Sequence, residues 1–202
     1  ESANYGHYEI DGLYPGYGHT LGNSLRRIVL SSLPGAAITS IKIEGVNHEF
    51  STIEGVKEDV INIIFNLKKV RFNIIGDEAQ TVNLKVKGIK DITAADIKLP
   101  GQVTISNTEA PILSITGKDT EIDMEIKIEK GIGFVAKEAL QKDRVEIGSM
   151  AMDAAFSPIV LANYDVEQMR VGDRTDFNKL KFYIKTDGTI TPREALEKSI
   201  EI

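Results

Sequence analysis

The 202-residue chain contains no cysteine. It therefore cannot form a disulfide, present a thiolate nucleophile or hold a cysteine-based zinc or iron–sulfur site. The absence of cysteine fits a reducing compartment, and a cytoplasmic location is the expectation that follows.

The chain also lacks long apolar runs and an excess of basic residues. No run approaches the roughly 18 apolar residues that a membrane-spanning helix needs, so no membrane is expected among its partners. Lys and Arg number 24 against 30 Asp and Glu, a formal net charge of −6. Domains that bind duplex nucleic acid normally present a dense basic surface, because release of phosphate counterions provides much of their affinity. Strong direct binding to nucleic acid is not expected.

Clusters that could support catalysis or bind a metal are scarce. The histidines His7, His19 and His48 lack the spacing of a zinc site. The pair His48-Glu49 could do acid–base chemistry, but it lies in a strand-like stretch without a nucleophile, so a structural role is favoured. We expect no catalytic residue, no metal site and no cofactor in this chain.

Most of the chain shows the two-residue alternation that is typical of β-strands. One predicted hairpin joins Val70–Ile74 to Val82–Val86 through a turn at Gly76-Asp77. A second predicted hairpin joins residues 112–115 to residues 122–128.

Three segments have the helical period instead. They are residues 20–33, with Thr20 as the expected N-cap, residues 54–67, and a helix that begins after Thr191. Thr191 and Glu194 form a capping box around Pro192. In the first helix apolar residues cover about half the circumference, more than one core-facing stripe requires, so this helix is expected to contact two surfaces.

A glycine-rich segment, residues 16–22 (GYGHTLG), opens the first helix as phosphate-binding loops do. Its spacing, G-x-G-x-x-x-G, is one residue too long for the dinucleotide fingerprint, and no G-K-[ST] follows. We interpret it as a tight turn that lets the helix pack closely against a neighbouring backbone.

The order of elements predicts an α+β fold. Helices near both ends with strands between them suggest that the middle of the chain is inserted into a unit formed by the two ends.

Two long strings are the most specific motifs of the chain: GYGHTLGNSLRRIVLSSLPGAAIT (16–39) and GVNHEFSTIEGVKEDVINIIFNLK (45–68). Shorter ones are TAADI, MDAAFSPI, NYDVEQMRVGDRTDFNKL and TDGTITPREAL. All of these strings, in this order, resemble the N-terminal domain of the bacterial RNA polymerase α subunit. Together they cover nearly the whole chain.

The resemblance implies a dimerisation subdomain of strands plus two helices, residues 1–34 plus 159–202. It also implies an inserted strand-rich subdomain, residues 35–158, that contacts the large subunits. The implied function is a homodimeric, non-catalytic scaffold for assembly of the β and β′ subunits in transcription, while the nucleotidyltransferase centre of the complex belongs to β′.

Motif matching implies two sets of contact residues. The dimer interface would contain Tyr17, Leu21, Leu25, Ile28, Leu196 and Ile200. Contacts with the large subunits would involve Arg27, Leu30, Lys68, Met152 and Arg170.

Two alternatives stay open on the sequence alone. An archaeal or eukaryotic α-like assembly subunit would share the dimerisation unit, although TAADI and MDAAFSPI in the inserted part favour the bacterial form. An unrelated ligand-binding β-rich protein would need a pocket with converging polar groups.

Overall fold

The computed structural model describes residues 3–142 and 148–202. Its helices are α1 (Tyr17–Ser31), α2 (Val60–Leu67), α3 (Lys137–Lys142) and α4 (Pro192–Glu201). Its strands are β1 (Tyr5–Leu13), β2 (Pro34–Ile43), β3 (Phe72–Ile74), β4 (Gln80–Lys87), β5 (Lys90–Thr93), β6 (Val103–Ile105), β7 (Pro111–Ile115), β8 (Glu121–Ile132), β9 (Phe134–Val135), β10 (Ser149–Ala151), β11 (Ala154–Ala155), β12 (Ile159–Val171) and β13 (Arg174–Thr186). This mixture of helices and strands confirms the α+β fold class. Across the described ranges, no helix is both long and apolar enough to cross a membrane.

The chain divides into two compact units. The terminal unit consists of Glu1–Pro34 and Ser157–Ile202, and the central unit of Gly35–Phe156.

The terminal unit is built on an antiparallel sheet of order β1-β13-β12. Helix α1 packs on β12 and β13, and α4 contacts α1, β1 and β13. Alternate residues of the strands point to the helices, so the core forms on one face of the sheet. Its main cluster of buried apolar residues consists of Leu25, Val29, Leu33, Ala162, Phe182, Ile184 and Ala195, and Leu180 is buried as well.

Helix α1 begins earlier than the sequence predicts. Its N-cap is Gly16, in the left-handed conformation at φ +85°, and not Thr20. The Thr20 hydroxyl lies within the helix and donates to the Gly16 carbonyl at 3.4 Å. The left-handed region costs glycine little, which explains why the chain can enter the helix at this position.

The start of α4 is confirmed. The Thr191 hydroxyl accepts a hydrogen bond from the Glu194 backbone N–H at 3.2 Å, and Glu194 Oε2 accepts from the Thr191 N–H at 3.0 Å. Pro192 occupies the first turn, where no intrahelical N–H donor is needed.

The central unit contains a sheet of order β10-β2-β8-β4 and the two-stranded pairs β11-β9, β3-β6 and β5-β7. Strand β8 alternates cleanly, with Ile122, Met124, Ile126 and Ile128 buried. Helix α2 adds four buried residues to the same core: Val60, Ile63, Ile64 and Leu67.

The second predicted helix is too long at its N-terminal end. The structure has helix only from Val60, not from Glu54. Residues 54–59 are bound to β7 instead: the Lys57 N–H donates to the Ser114 carbonyl at 3.0 Å, and Glu58 Oε2 accepts from the Ser114 N–H at 2.7 Å. These tertiary hydrogen bonds replace the first turns of the predicted helix.

Both predicted hairpins are wrong. Strand β3 pairs with β6 rather than β4, and β4 pairs with β8 from Gln80–Ile128 to Lys87–Glu121. Strand β7 pairs with β5. Alternation and a turn identify strands and their buried faces, but the partner of each strand depends on which edges the rest of the fold brings together.

Candidate assembly surfaces

The glycine-rich segment before and inside α1 is closed by a side chain from β13. Asn178 Oδ1 accepts the Gly16 N–H at 2.8 Å and the Gly18 N–H at 3.3 Å. Asn178 is 8% exposed. Because this oxygen already binds the amides that would bind a phosphate, the segment is a structural cap.

Close packing explains why position 22, the last of the glycine-rich segment, is a glycine. A Cβ at Gly22 would lie 2.5 Å from Tyr164 Cδ2 and 2.9 Å from Leu180 Cδ1. The tight-packing interpretation is thus confirmed, although the neighbours are side chains of β12 and β13 rather than backbone. Asn178 could not be identified from the sequence as the capping residue. It lies 160 residues from Gly18 in the chain and therefore leaves no local sequence pattern.

Helix α1 presents different chemistry around its circumference. Gly18, Gly22, Leu25 and Val29 form the buried stripe. At about 100° per residue, Tyr17, Leu21 and Ile28 lie together on one flank of that stripe. Leu21 and Ile28 are half-buried and Tyr17 is 64% exposed. The expected second apolar surface therefore exists on this helix.

Two adjacent arginines of α1 have separate environments. Arg26 Nε donates to the Ala162 carbonyl of β12 at 3.0 Å, which fixes it beside the sheet. Arg27 is exposed and lies opposite the buried stripe. Leu30, on the flank away from Tyr17, is 38% exposed.

Helix α4, like α1, combines a buried stripe with a partly exposed apolar side. Pro192, Ala195 and Ser199 are buried, whereas Leu196 is half-buried and Ile200 is 63% exposed. Four residues apart, Leu196 and Ile200 share one side of the helix.

In the central unit, Lys68 belongs to a chain of charged side chains. Its Nζ lies 3.0 Å from Asp153 Oδ2, and Asp153 Oδ1 accepts the Lys137 backbone N–H at 3.0 Å. Lys137 Nζ in turn lies 3.1 Å from Glu49 Oε1. The hydrogen bond from the Lys137 backbone, followed by that from Lys68, lowers the pKa of Asp153, and Glu49 raises the pKa of Lys137.

The histidines do not converge. His7 stacks on Tyr183 with ring centroids 4.7 Å apart, His19 packs edge-on near Tyr164, and His48 Nδ1 lies 3.1 Å from Ser51 Oγ. Glu49, the neighbour of His48, is bound to Lys137. Over residues 3–142 and 148–202, no group of three His, Asp or Glu side chains is placed to hold a metal ion.

Comparison with known proteins gives a consistent result. A family model described as the RNA polymerase Rpb3/RpoA insert domain matches residues 41–157. The chain belongs to the RNA polymerase α-subunit family. It is 48% identical over its whole length to the DNA-directed RNA polymerase subunit alpha of Roseiflexus sp. (strain RS-1) and 47% identical to that of Hydrogenobaculum sp. (strain Y04AAS1). The chain spans 62% and 63% of the length of these two relatives.

The RNA polymerase Rpb3/RpoA match falls on the central unit, which contains two of the predicted contact residues, Lys68 and Met152. Lys68 is paired with Asp153. Met152 is only 2% exposed and belongs to the core, so it has almost no surface to offer a partner.

In the terminal unit the predicted residues of this α-family chain do not form a single cluster. Leu25 is 6% exposed and packs in the core, so it too offers almost no surface to a second chain. Arg170 lies near the tip of the β12–β13 hairpin, where its Nε donates to the Gly172 carbonyl at 2.7 Å. Tyr17, Leu21 and Ile28 occupy one flank of α1.

The hairpin tip carries a cluster that the sequence did not reveal. Tyr14 and Phe177 have ring centroids 5.4 Å apart, and the Arg174 guanidinium lies 5.1 Å from the Phe177 centroid. Cation–π and ring contacts of this kind stiffen an otherwise exposed strand end. Tyr14 is far from Phe177 in the chain, and only the pairing of β1 with β13 makes them neighbours.

Proposed function

We propose that this chain is a non-catalytic α subunit of a bacterial DNA-directed RNA polymerase. It forms a homodimer through its terminal unit and acts in the cytoplasm as the scaffold on which the β and β′ subunits assemble. Nucleotidyl transfer belongs to the large subunits, and this chain uses no cofactor. Family membership supports the proposal, because the relatives are named as DNA-directed RNA polymerase α subunits.

The main support for the dimer is the partly exposed apolar flank of α1. A surface helix of a globular protein normally buries one apolar stripe and exposes polar residues elsewhere. Helix α1 buries its stripe and still leaves Tyr17, Leu21 and Ile28 partly exposed on one side. The flank of α4 with Leu196 and Ile200 is similar. A two-fold dimer would bury the same apolar flank of both copies.

Exposed charged and apolar residues support the contacts with the large subunits. Arg27, Leu30, Lys68 and Arg170 all retain accessible side chains. Arginine is favoured at protein interfaces because its guanidinium can form paired hydrogen bonds with carboxylates. Direct binding of nucleic acid is not part of this proposal, because the chain has a net charge of −6.

Sedimentation equilibrium of the chain at tens of micromolar tests the dimer. We expect twice the mass of one chain, and Ile28→Glu should shift the equilibrium strongly toward monomer by burying a charge in the interface. Asn23→Glu, an exposed position on the other side of the same helix, is the matched control and should not. A strictly monomeric wild-type chain would overturn the dimer.

Capture of purified β subunit tests the scaffold. Arg27→Ala should weaken capture by about thirtyfold, the effect of losing an interface arginine worth about 2 kcal/mol. Its unfolding free energy should change by no more than about 0.5 kcal/mol. Lys118→Ala, which removes an exposed cation of the central unit, is the control. Unchanged capture by Arg27→Ala would remove this residue from the assembly surface.

A further inference from the structure

Strand β12 lies at an open edge of the sheet in the terminal unit. The sheet order is β1-β13-β12, so β13 pairs with one side of β12 and no described strand pairs with the other. The strand has 13 residues, about twice the usual length. Backbone N–H and C=O groups along such an edge can pair with a strand of another chain, and natural proteins protect long open edges against this.

The register shows which residues of β12 point to the open edge. The Thr186 N–H donates to the Asn4 carbonyl at 2.8 Å, so Thr186 and Ile184, two residues apart, both direct their backbone polar groups toward β1. Ile184 lies opposite Ala162 of β12. The N–H and C=O of Ala162 therefore point away from β13. The same alternation directs the backbone groups of Tyr164, Val166 and Gln168 to the open edge.

Helix α1 runs along β12 in the opposite direction. A Cβ at Gly18 would lie 2.7 Å from Val166 Cγ1, and Arg26, about two turns later in the helix, reaches Ala162. Eight helical residues rise about 12 Å, and four strand residues span about 13 Å. Because these lengths match, the helix and the strand stay together over this distance, and Arg26 is delivered to the edge.

Arg26 occupies an acceptor of the open edge. Its Nε donates to the Ala162 carbonyl at 3.0 Å, and this carbonyl points away from β13. The Nε atom takes the place at this oxygen that the backbone nitrogen of an added strand would take. A hydrogen bond from a charged guanidinium is stronger than one from a backbone N–H, so an added strand cannot displace it without loss.

Irregular pairing shortens the rest of the edge. The register between β12 and β13 shifts between Ile159 and Leu161 and again between Met169 and Val171. Such irregularities bend and twist a strand and make it a poor template for pairing. The regular part of the edge is thus confined to residues 161–169, and Arg26 binds near its beginning.

We infer that Arg26 protects the open edge of β12 from pairing with a strand of a second copy of this chain. A second copy is the relevant partner because every copy presents the same edge, and two equal edges can pair about a two-fold axis. The inference goes beyond the proposed function, since it requires neither the dimer through the flanks of α1 and α4 nor the large subunits.

The first experiment measures the mass of the chain by light scattering from tens to hundreds of micromolar. Arg26→Met removes the donor and should make association beyond the wild-type species about tenfold stronger, the effect of one hydrogen bond to a charged group. Arg193→Met is the matched control, because Arg193 Nε donates to Glu197 of its own helix at 2.8 Å. Wild-type mass for Arg26→Met, or equal association of Arg193→Met, would overturn the inference.

The second experiment places a proline on the same edge. Gln168→Pro removes a backbone N–H that points to the open edge and leaves the ladder to β13 intact. The double variant Arg26→Met/Gln168→Pro should return to the wild-type mass. A general folding defect of Arg26→Met would not be corrected by a proline at the edge, so persistent association of the double variant would contradict edge protection.

Hydrogen exchange identifies the strand that associates. In associated Arg26→Met, the amides of Tyr164, Val166 and Gln168 should become more protected than in the wild type, because they bond to a second copy. Unchanged exchange of these amides would exclude β12 as the site of association.

Arg26→Lys serves if Arg26→Met does not fold, since it keeps the charge and the long stem but lacks Nε. It should associate in the same direction and less strongly, and wild-type mass would overturn the inference. Each variant is compared with the wild type, so a monomeric wild-type chain would overturn the proposed dimer and leave the protection of the edge in place.

Discussion

The two units of this chain bury their apolar residues to different extents. In the described residues, the terminal unit has a cluster of seven buried apolar residues, whereas that of the central unit has 26, although the units differ far less in length. The terminal unit also carries α1 and α4, the two longest helices of residues 3–142 and 148–202, whose flanks remain partly uncovered. Its apolar core is smaller, so covering these flanks would add a larger share to its buried apolar surface.

Fixed charges occur on both units. The central unit holds the pairs Lys68–Asp153 and Lys137–Glu49, and the terminal unit holds Lys179–Glu9 and Lys181–Glu167. The two units therefore differ in the size of their apolar cores and not in their ion pairs. Apolar burial contributes mainly affinity, and complementary charge contributes mainly specificity and orientation.

The largest effect is expected from a cavity in the smaller core. Leu25→Ala should lower the unfolding free energy by about 3 kcal/mol. Amides of β13 should then exchange faster in hydrogen-exchange measurements, while those of β8 keep their protection. Ile126→Ala in the central core is the matched variant and should give the reverse pattern. Loss of protection in both units with either variant would show that the two cores unfold as one.

A smaller effect is expected where α1 meets the sheet. Gly22→Ala places a methyl group against Tyr164 and Leu180 and should cost about 2 kcal/mol through overpacking. Gly101→Ala in the central unit, where a Cβ would have no neighbour within 4 Å, should change stability little. Urea denaturation of both variants makes the comparison. Equal stability of the two would mean that α1 can move away from the sheet at little cost.

The Asn178 cap is expected to contribute less. Asn178→Ala leaves the amides of Gly16 and Gly18 without this acceptor and should destabilise the terminal unit by about 1 kcal/mol. Asn178→Asp keeps the acceptor and places negative charge at the N-terminus of α1, so most of the stability should be retained. Thermal melting of the two variants measures the difference in stability between them. A larger loss of stability in Asn178→Asp than in Asn178→Ala would contradict the capping role.

The smallest expected effect is the pH dependence of the stability of the central unit. The folded-state pKa of Asp153 lies below its ordinary value of 3.8, so the unfolded state binds more protons as the pH falls. Its contribution to stability is complete above about pH 5 and is lost as the pH falls below 3.8 through the lowered pKa. Because the pair is partly exposed, the contribution should be below about 1 kcal/mol.

Urea unfolding at pH 6 and pH 3 measures this contribution. Asp153→Asn should be less stable than wild type at pH 6, and this deficit should be smaller at pH 3. A deficit of the same size at both pH values would mean that the carboxylate charge is not what stabilises the unit.

Sequence alone determined the features that depend on local chemistry. The Thr191–Glu194 capping box, the presence of an α+β fold, the existence of α1, α2 and α4 and the buried face of β8 follow from residues close together in the chain. The long motif strings determined the family, and the width of the apolar arc on α1 indicated two contact surfaces.

Only the tertiary structure decided the features that join distant residues. The pairing of β4 with β8, the strand-bound segment before α2, the Asn178 cap and the Lys68–Asp153–Lys137 arrangement all depend on contacts between residues far apart in the chain. The structure also showed that Leu25 and Met152 belong to cores rather than to surfaces. Periodicity records which side of an element is apolar, but not what covers that side, because burial depends on every element packed around it.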